Sequence, residues 1–403
     1  MQGPSSKAPN TAAPQFSGFG FIALMSIICA LSPFAMSLVV PSFPNMGRDF
    51  NIGVDQTQLM VSAFLLGLGL SQPIHGALAD RYGRRPILLA GFAIFTLASL
   101  ACFITESWTA LVVCRFLQAV GVSAGTVTSR AIINDVQPRE QAAISLSYVS
   151  MAMGLGPIIA PVLGGIGDSL LGWRSLFAGC TIVGGLILLL AISRLKETRP
   201  EGPPRPLPDL MAGYKRCLTS PIFWGYTMMF GFGQGVFFAF LPIAPDYFEF
   251  VLQRSTSAFV ASWIGLSLCF MAGSFAGTRL VKRFGMDRLL PWAAIYLILM
   301  AILFVVWYYL MGDGIIAVIG PIGLSLIATG LICPIALTGS ISAFSKNAGI
   351  AAGLSSAIGL VIGGLFSVIG GQLYNMTMWP IIALVGLAAL GNLLGTYLSR
   401  RSS

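Results

Sequence analysis

Apolar stretches of about twenty residues recur along almost the whole chain, and they limit the fold more than any other feature of the sequence. An α-helix needs about 20 apolar residues to cross the hydrocarbon core of a bilayer. The blocks are continuously apolar rather than alternating, which argues against a transmembrane β-barrel. By this criterion the sequence predicts twelve spanning helices, at 19–41, 58–79, 86–105, 108–130, 142–165, 173–194, 221–244, 256–280, 289–310, 314–338, 348–372 and 377–399.

The composition supports a membrane protein and excludes a soluble globular enzyme. Hydrophobic residues make up 56% of the chain and charged residues 9%, and the mean hydropathy is +0.84. A soluble domain has roughly 45–50% apolar and about 25% charged residues. The first apolar block is long enough to span and lacks the short apolar core and cleavage site of a signal peptide, so we expect a retained helix.

The sequence predicts neither a metal site nor an organic cofactor. The one histidine, His75, belongs to no HExxH or carboxylate–histidine pattern, and the seven cysteines form no CxxC pair. Cysteines within apolar blocks behave as small hydrophobic residues. We interpret His75 as a packed residue near the end of the second helix, with a proton-sensing role as the alternative.

The distribution of basic residues predicts which side of the membrane each loop faces. Of the 23 Lys and Arg, only Arg48, Arg174 and Arg254 fall outside when the N-terminus is placed in the cytoplasm, and Arg115 lies within a helix. Because cytoplasmic loops are enriched in Lys and Arg, both termini are predicted to be cytoplasmic. The basic residues that give the net charge of +9 would then face anionic lipids at the cytoplasmic side, so no nucleic acid partner is needed to explain the charge.

A proline-rich, basic segment divides the predicted helices into two sets of six. The stretch LADRYG, Leu78 to Gly83, matches LVKRFG, Leu280 to Gly285, at the same place in each set, which favours an internal duplication. We expect a cytoplasmic N-terminal tail at 1–18, an N-terminal six-helix bundle at 19–194, a cytoplasmic linker at 195–220, a C-terminal six-helix bundle at 221–399 and a cytoplasmic tail at 400–403.

Three stretches, in order and on the expected helices, resemble motifs of the major facilitator superfamily. GALADRYGRRPIL, from Gly76, fits every position of the superfamily signature between the second and third helices. RFLQAVGVSAG begins at Arg115 in the fourth helix, and GLGPIIAPVLGG begins at Gly154 in the fifth. Within the superfamily, LVVPSFP, ETRP and SPIFWGY resemble the bicyclomycin/chloramphenicol-resistance (Bcr/CflA) group of drug/proton antiporters.

This resemblance implies an all-α membrane protein with twelve transmembrane helices in two pseudo-symmetric six-helix bundles, the major facilitator fold. It further implies a monomeric secondary active transporter in a bacterial inner membrane. Such a protein exports small lipophilic compounds, antibiotics or metabolites, by alternating access with protons as the coupling ion, and it is not an enzyme. The alternatives are a metabolite or siderophore carrier, including an importer or an uncoupled facilitator, and a non-transporting membrane sensor or structural protein.

The turn after the second helix is one candidate for a conformational motif. It combines charged groups with a glycine suited to a tight bend. The resemblance implies that the turn latches the two bundles on the cytoplasmic side, and the alternative is that its charges only fix the topology. The residues concerned are Gly76, Asp80, Arg81, Gly83, Arg84 and Arg85.

The fifth helix carries the other conformational motif. Its small residues allow close helix approach, and its prolines remove backbone donors and bend the helix. We expect a moving interface against the opposite bundle, and ordinary tight packing is the alternative. The residues concerned are Gly154, Gly156, Pro157, Pro161, Gly164 and Gly165.

The substrate or coupling site is predicted around polar residues within the helices. A charge within the membrane costs at least about 2.5 kcal/mol, and such residues usually face a cavity. The resemblance implies that Arg115 lines the central cavity and couples substrate to proton movement, unless it snorkels to the outer interface. Aromatic and methionine residues around Gln234 are typical of a lipophilic cavity, unless they face lipid. The full set is Arg115, Gln118, Gln234, Ser37, Tyr226 and Phe238.

The sequence lacks an obvious proton carrier. Members of the resembled group typically have an aspartate four residues before the first proline of the stretch that ends the first helix, and here that position holds Ser37. The remaining candidates for the proton site are Asp135, Asp246 and Glu249, because intramembrane acids usually supply this group. A neutral or anionic substrate paired with Arg115, or a facilitator without proton coupling, would need no such acid.

Overall fold

The structure is a computed structural model that describes residues 18–199, 207–344 and 348–400. Residues 1–17 of the predicted N-terminal tail, 200–206 of the predicted linker and 401–403 of the predicted C-terminal tail lie outside the described residues.

Twelve long helices dominate the described part of the chain, and each is long and apolar enough to cross a membrane. They lie within a few residues of the predicted spans, so the prediction of twelve spanning helices is confirmed. Their bounds are α1 Phe19–Leu38, α2 Leu59–Tyr82, α3 Arg84–Ile104, α4 Trp108–Val136, α5 Arg139–Leu171, α6 Arg174–Arg194, α7 Pro221–Phe240, α8 Thr256–Phe284, α9 Met286–Met311, α10 Ile315–Ser342, α11 Ala348–Leu373 and α12 Trp379–Arg400.

Helices α1–α6 form one bundle and α7–α12 a second, called here the N-bundle and the C-bundle. Helix α3 packs on α4 and α6 as α9 packs on α10 and α12, and α1 packs on α4 and α5 as α7 packs on α10 and α11. Between the bundles, α2 packs on α11 and, correspondingly, α8 packs on α5. The matching contacts confirm two pseudo-symmetric six-helix bundles.

The repeated LADRYG and LVKRFG stretches form the same turn in each bundle. Gly83 ends α2 with φ +107°, and Gly285 ends α8 with φ +78°. Residues with a Cβ rarely adopt these backbone angles, so glycine is the residue that suits the turn. The side of the molecule that carries both turns is called here the linker end, and the opposite side the distal end.

Short helical segments extend two long helices at the distal end. Pro41 has no N–H to donate to the carbonyl of Ser37, so α1 ends and the chain continues as the short helices Val40–Ser42 and Phe43–Phe50. After α7 come the short helix Ala244–Asp246 and a π-helical turn, Tyr247–Val251. The two extensions contact each other across the bundles and form what we call the distal interface.

The linker contains a helix that the sequence analysis did not predict. Leu207–Leu218 is helical and packs against α7 and α11 of the C-bundle. Its Tyr214 hydroxyl lies 3.5 Å from the carbonyl oxygen of Pro73 on α2, so this helix reaches both bundles. Burial, followed by the nearby charge of Asp80, raises the pKa of Tyr214.

Candidate functional site

Arg115 and Gln118 lie together inside the N-bundle, one turn apart on α4. The Arg115 guanidinium donates to Gln118 Oε1 at 2.5 Å and to the carbonyl oxygen of Ala35 on α1 at 3.3 Å. Gln118 Nε2 donates to Ser99 Oγ on α3 at 2.7 Å. Arg115 and Gln118 are both fully buried, so this network ties α4 to α1 and α3.

Aromatic rings enclose the Arg115 guanidinium. Its central carbon lies 4.3 Å from the ring centroid of Phe64 on α2 and 5.9 Å from that of Phe177 on α6. Nε and Nη2 have no hydrogen-bond partner, and no carboxylate of the described residues forms an ion pair with the guanidinium. In this conformation Arg115 is therefore sealed within the N-bundle rather than exposed on an open cavity.

The candidate residues of α7 differ in burial. Tyr226 and Phe238 are buried against glycines, because a Cβ on Gly339 of α10 would collide with the Tyr226 ring and one on Gly363 of α11 would collide with that of Phe238. Gln234 is part-buried and makes no hydrogen bond within the described part of the chain. Of the three, Gln234 alone keeps polar groups available for a ligand.

Two further polar residues lie within the N-bundle. Ser37, at the position where an aspartate was expected, is fully buried, and its Oγ has no partner. His75 is 9% exposed, and its Nδ1 lies 2.8 Å from Ser123 Oγ, which in turn lies 2.6 Å from Ser71 Oγ. Ser123 of α4 thus bonds to the His75 ring and to Ser71, both on α2. This burial and bonding agree with the interpretation of His75 as a packed residue.

At the linker end, the charged turn binds groups of its own bundle. Arg84 pairs with Asp80 one turn earlier and with Asp135 at the end of α4, where Nε lies 3.1 Å from Oδ2. Arg85 donates to the carbonyl oxygen of Ile192 on α6 at 3.0 Å, and the Arg81 guanidinium lies 5.5 Å from the Tyr82 ring centroid. Gly76 lies against α4, where its added Cβ would be 3.9 Å from Val127.

Glu197, within the ETRP stretch, holds this turn from the other side. Its carboxylate accepts from the backbone N–H of Arg84 at 2.8 Å and of Arg85 at 3.2 Å, and from those of Thr198 and Arg199. Partial burial raises the pKa of Glu197, but the four backbone donors outweigh it and hold the pKa below its ordinary value. Sequence reasoning missed this role, although an acid directly after α6 faces the free N–H groups that open α3.

The glycines of α5 face two different helices. A Cβ on Gly156 would lie 3.2 Å from the backbone N of Phe34, and one on Gly164 would collide with the carbonyl of Leu38, so both pack on α1 of the same bundle. Gly165 faces α8 of the C-bundle more loosely, and Gly154 has open space beside it. The motif combines close packing within the N-bundle and a smoother face towards the C-bundle.

A proline in the same motif releases a carbonyl that the C-bundle uses. Pro161 has no N–H, so the carbonyl of Pro157, four residues earlier, lacks its usual helical donor. Trp263 Nε1 of α8 donates to that oxygen at 2.9 Å. Trp263 is 1% exposed, and its ring packs against Phe237 and Phe259 at centroid distances of 5.1 and 5.7 Å. The four-residue proline spacing is a signal from which the free carbonyl could have been predicted.

At the distal interface, side chains bind one another within the N-bundle and across to the C-bundle. Asn45 donates to Asp168 of α5 at 2.6 Å and accepts from Arg48 at 2.6 Å. Arg48 forms an ion pair with Glu249 of the C-bundle at 2.5 Å. Nearby, Ser62 of α2 donates to Ser367 of α11 at 3.2 Å. These contacts close the distal end.

Asp246 lies in the same interface and differs from its neighbours. It is 5% exposed, and its Oδ2 has no hydrogen-bond partner. The structure thus places the three candidate proton acids in different settings: Asp135 and Glu249 are each paired with an arginine, whereas Asp246 is buried without one. No group of metal-ligating residues was found among the described residues.

Comparisons with known proteins agree with this architecture. The model of the Major Facilitator Superfamily matches residues 25–371. Multidrug resistance protein D of Escherichia coli K12 is 28% identical over 377 residues, 92% of each chain. A chloramphenicol resistance protein of Pseudomonas aeruginosa is 28% identical over 374 residues, 89% of this chain and 87% of its own. A bacterial homologue of the human lysosomal transporter Spinster, solved inward-facing and occupied, has a similar fold, with TM-score 0.74, 14% identity and coverage of 96% and 97%.

Proposed function

Since the chain belongs to the Major Facilitator Superfamily, we propose that it exports small lipophilic compounds across a bacterial inner membrane by alternating access, driven by protons. The names of the relatives, a multidrug resistance protein and a chloramphenicol resistance protein, support drug export as the task. Their likeness extends over most of both chains, so the comparison concerns whole transporters. The proposal includes no covalent chemistry: the substrate binds between the bundles, which then rock around it.

One observation carries this proposal: the polar contacts between the bundles at the distal end include an exposed ion pair that can separate. The Arg48–Glu249 pair has side-chain exposures of 57% and 31%, and exposed pairs of this kind contribute only about 0.2–1 kcal/mol. Such a pair separates at low cost. This is the property that alternating access requires of the closed side.

We place the linker end in the cytoplasm and the distal end on the outer side. The linker end holds the turn with Arg81, Arg84 and Arg85, whose charges suit anionic lipid headgroups. Both termini would then be cytoplasmic. In the opposite conformation, the turn is proposed to latch the bundles at this end. The protein would work as a monomer, since each chain holds both bundles.

For the substrate we propose a site between the bundles that includes Gln234. Its part-buried amide has no partner within the described residues, so it is free to orient a neutral ligand. The residues that would pack behind the apolar walls of this site are Tyr226, Phe238 and Ser37, because all three are buried in this conformation. Arg115 and Gln118 would couple the site to α1 and α3 through the bonds to Ala35 and Ser99.

Chloramphenicol flux in proteoliposomes tests the proposal. We expect an imposed pH gradient to drive accumulation in vesicles that contain the protein, and an uncoupler to abolish it. Gln234→Ala should lower this accumulation about tenfold, whereas Gln372→Ala, an exposed amide at the end of α11, should not. Flux that persists with an uncoupler would support a facilitator. No flux with chloramphenicol or a panel of lipophilic compounds would support the sensor alternative.

A further inference from the structure

We propose that Asp246 is the proton-binding group of this transporter and that its protonation keeps the distal interface closed. This inference rests on the proposed function and names the coupling-ion site within it. The ligand is a proton from the distal side of the membrane.

Asp246 has the surroundings of a group that holds a proton in this conformation. Of the acids whose side chains the structure describes, it alone is buried. Its Oδ2 has no hydrogen-bond partner, and the segment that carries it contacts the Val40–Ser42 helix, whose residues are all buried. An ionised carboxylate with an unpartnered oxygen is costly to bury, whereas the neutral carboxyl has no charge to desolvate.

The position of Asp246 connects its charge to the movement of the bundles. The Ala244–Asp246 segment belongs to the C-bundle and contacts the Val40–Ser42 and Phe43–Phe50 segments of the N-bundle. When the bundles separate at the distal end, water reaches the carboxyl and its proton exchanges with that side. Closing the interface buries the group again.

Charged and titratable groups surround Asp246 from several elements, and none donates a hydrogen bond to Oδ2. Arg48 and Glu249 are within electrostatic range, and they already pair with each other. Burial raises the pKa of the Tyr374 hydroxyl at the end of α11, which itself has no partner. The groups within electrostatic range of Asp246 are Glu249 on the following π-helical turn, Arg48 on the α1 extension and Tyr374 after α11. Beyond them at the distal end lie Tyr247, Tyr308, Asp49, Asp168 and Asp313.

Three other acids near the distal interface are already bound. Asp168 accepts from Asn45, Asp49 accepts from Trp173 Nε1 at 2.7 Å, and Asp313 accepts from the hydroxyls of Tyr247 and Tyr308. Each of these carboxylates therefore has a donor that stabilises its charge in this conformation. Asp246 is therefore the acid whose negative charge is disfavoured when the distal end is closed.

The cost of burying an ionised Asp246 sets the order of events in an antiport cycle. After the substrate leaves on the distal side, the ionised Asp246 resists burial and keeps the interface open. A proton from that side neutralises the carboxyl, and the empty carrier closes the distal end. Net exchange then requires that the proton leave towards the linker side while substrate from that side occupies the space between the bundles.

The first test measures closure without any substrate. Spin labels at Glu106 of the N-bundle and Ser257 of the C-bundle, both exposed at the distal end, report the distance between the bundles in the purified full chain. We expect the closed fraction of the wild type to fall as pH rises and that of Asp246→Asn to stay high and independent of pH. Asp246→Glu should restore the dependence, and Asp55→Asn, an exposed acid at the same end, should leave it unchanged.

A second, direct readout is the infrared carbonyl band of a neutral carboxyl. We expect this band in the wild type at about pH 7, where ordinary aspartates are ionised, and its loss in Asp246→Asn. The proposal is overturned if the band persists in that variant. It is also overturned if His75→Gln, rather than Asp246→Asn, abolishes the pH dependence of the spin-label distance.

Transport separates this inference from the proposed function. In proteoliposomes, Asp246→Asn should lose gradient-driven accumulation of chloramphenicol about tenfold while chloramphenicol exchange across the membrane continues. Accumulation that survives in Asp246→Asn overturns the inference and leaves export intact. If the wild type moves no compound at all, the proposed function fails, and the spin-label and infrared results still decide whether Asp246 binds the proton.

Discussion

The Trp263 indole of the C-bundle donates a 2.9 Å hydrogen bond to the Pro157 carbonyl oxygen of the N-bundle. The acceptor is free because Pro161, one turn later, cannot donate to it. The proline motif of α5 therefore does more than bend a helix: it turns a backbone carbonyl into a contact point between bundles. The bond can form only while α5 and α8 lie side by side.

Trp263→Phe should weaken the closed distal end while keeping an aromatic ring in place. The change leaves the Pro157 carbonyl without a donor, at a cost of about 1–3 kcal/mol to the closed state. The spin-label distance between Glu106 and Ser257 should shift towards the open population. Trp292→Phe, on a side chain that is 71% exposed, is the matched control, and an equal shift in both variants would contradict the role of the bond.

Gly164→Ala should destabilise the N-bundle, whereas Gly154→Ala should not. A Cβ on Gly164 would collide with the carbonyl of Leu38, and backbone cannot yield as a side chain does, so we expect a loss of about 1–3 kcal/mol. Gly154 has open space around it and gains a better helix former. Thermal unfolding of the two purified variants makes the comparison, and equal unfolding temperatures would disprove the packing argument.

Arg48 and Glu249 should behave as an exposed interbundle pair in a double-mutant cycle. Their coupling in the closed state should be about 0.2–1 kcal/mol and should decrease as salt is added, because exposed charges are screened. The charge-swapped variant Arg48→Glu with Glu249→Arg should recover much of the closure lost in either single change. A swap that closes no better than the single variants would rule out a direct pair.

Glu197→Gln should lower stability in a pH-dependent manner. The carboxylate accepts four backbone N–H bonds, and because it is exposed we expect the change to cost only about 1 kcal/mol. Its pKa is lowered on folding, so its contribution is full above the unfolded-state value of about 4.3 and is lost as pH falls through the lower folded-state value. Unfolding temperatures of wild type and variant should differ at neutral pH and converge in acid. A constant difference would exclude the charge as its cause.

Arg115→Met should leave the fold intact and reduce transport. The guanidinium is fully buried without a carboxylate, so an apolar side chain of similar length removes its desolvation cost. This gain offsets the lost donors to Gln118 and Ala35, and the unfolding temperature should change little. If the arginine couples α4 to α1 through Ala35, accumulation of chloramphenicol should fall about tenfold. Unchanged accumulation would show that Arg115 only packs the N-bundle.

The number and limits of the long helices could be predicted from the sequence because a bilayer sets the length of an apolar helix. The same criterion ignores short helices outside the bilayer core, so Phe43–Phe50 and Leu207–Leu218 were missed. Within the site, the sequence pointed to Arg115 and Gln118 but not to their enclosure by Phe64 and Phe177, since periodicity along one helix does not specify the facing rings.

Interbundle contacts were the least predictable part. Trp263 lies on α8, about 100 residues after the proline it contacts, and no local pattern connects the two positions. Arg48, which pairs with Glu249, stood out only as one of three basic residues assigned to the outer side. Asp246 was a candidate by its residue type, while its burial without a donor depends on how the two bundles meet.

The fit of the α7 rings into glycines of α10 and α11 affects how substrate preference can change. Tyr226 and Phe238 pack into glycines of neighbouring helices, so α7 cannot slide past α10 and α11 without displacing these rings. We therefore expect new preferences to arise from side chains on the surface of the C-bundle. A larger residue at Gly339 or Gly363 would force α7 away from its neighbours and alter the movement itself, whatever compound is carried.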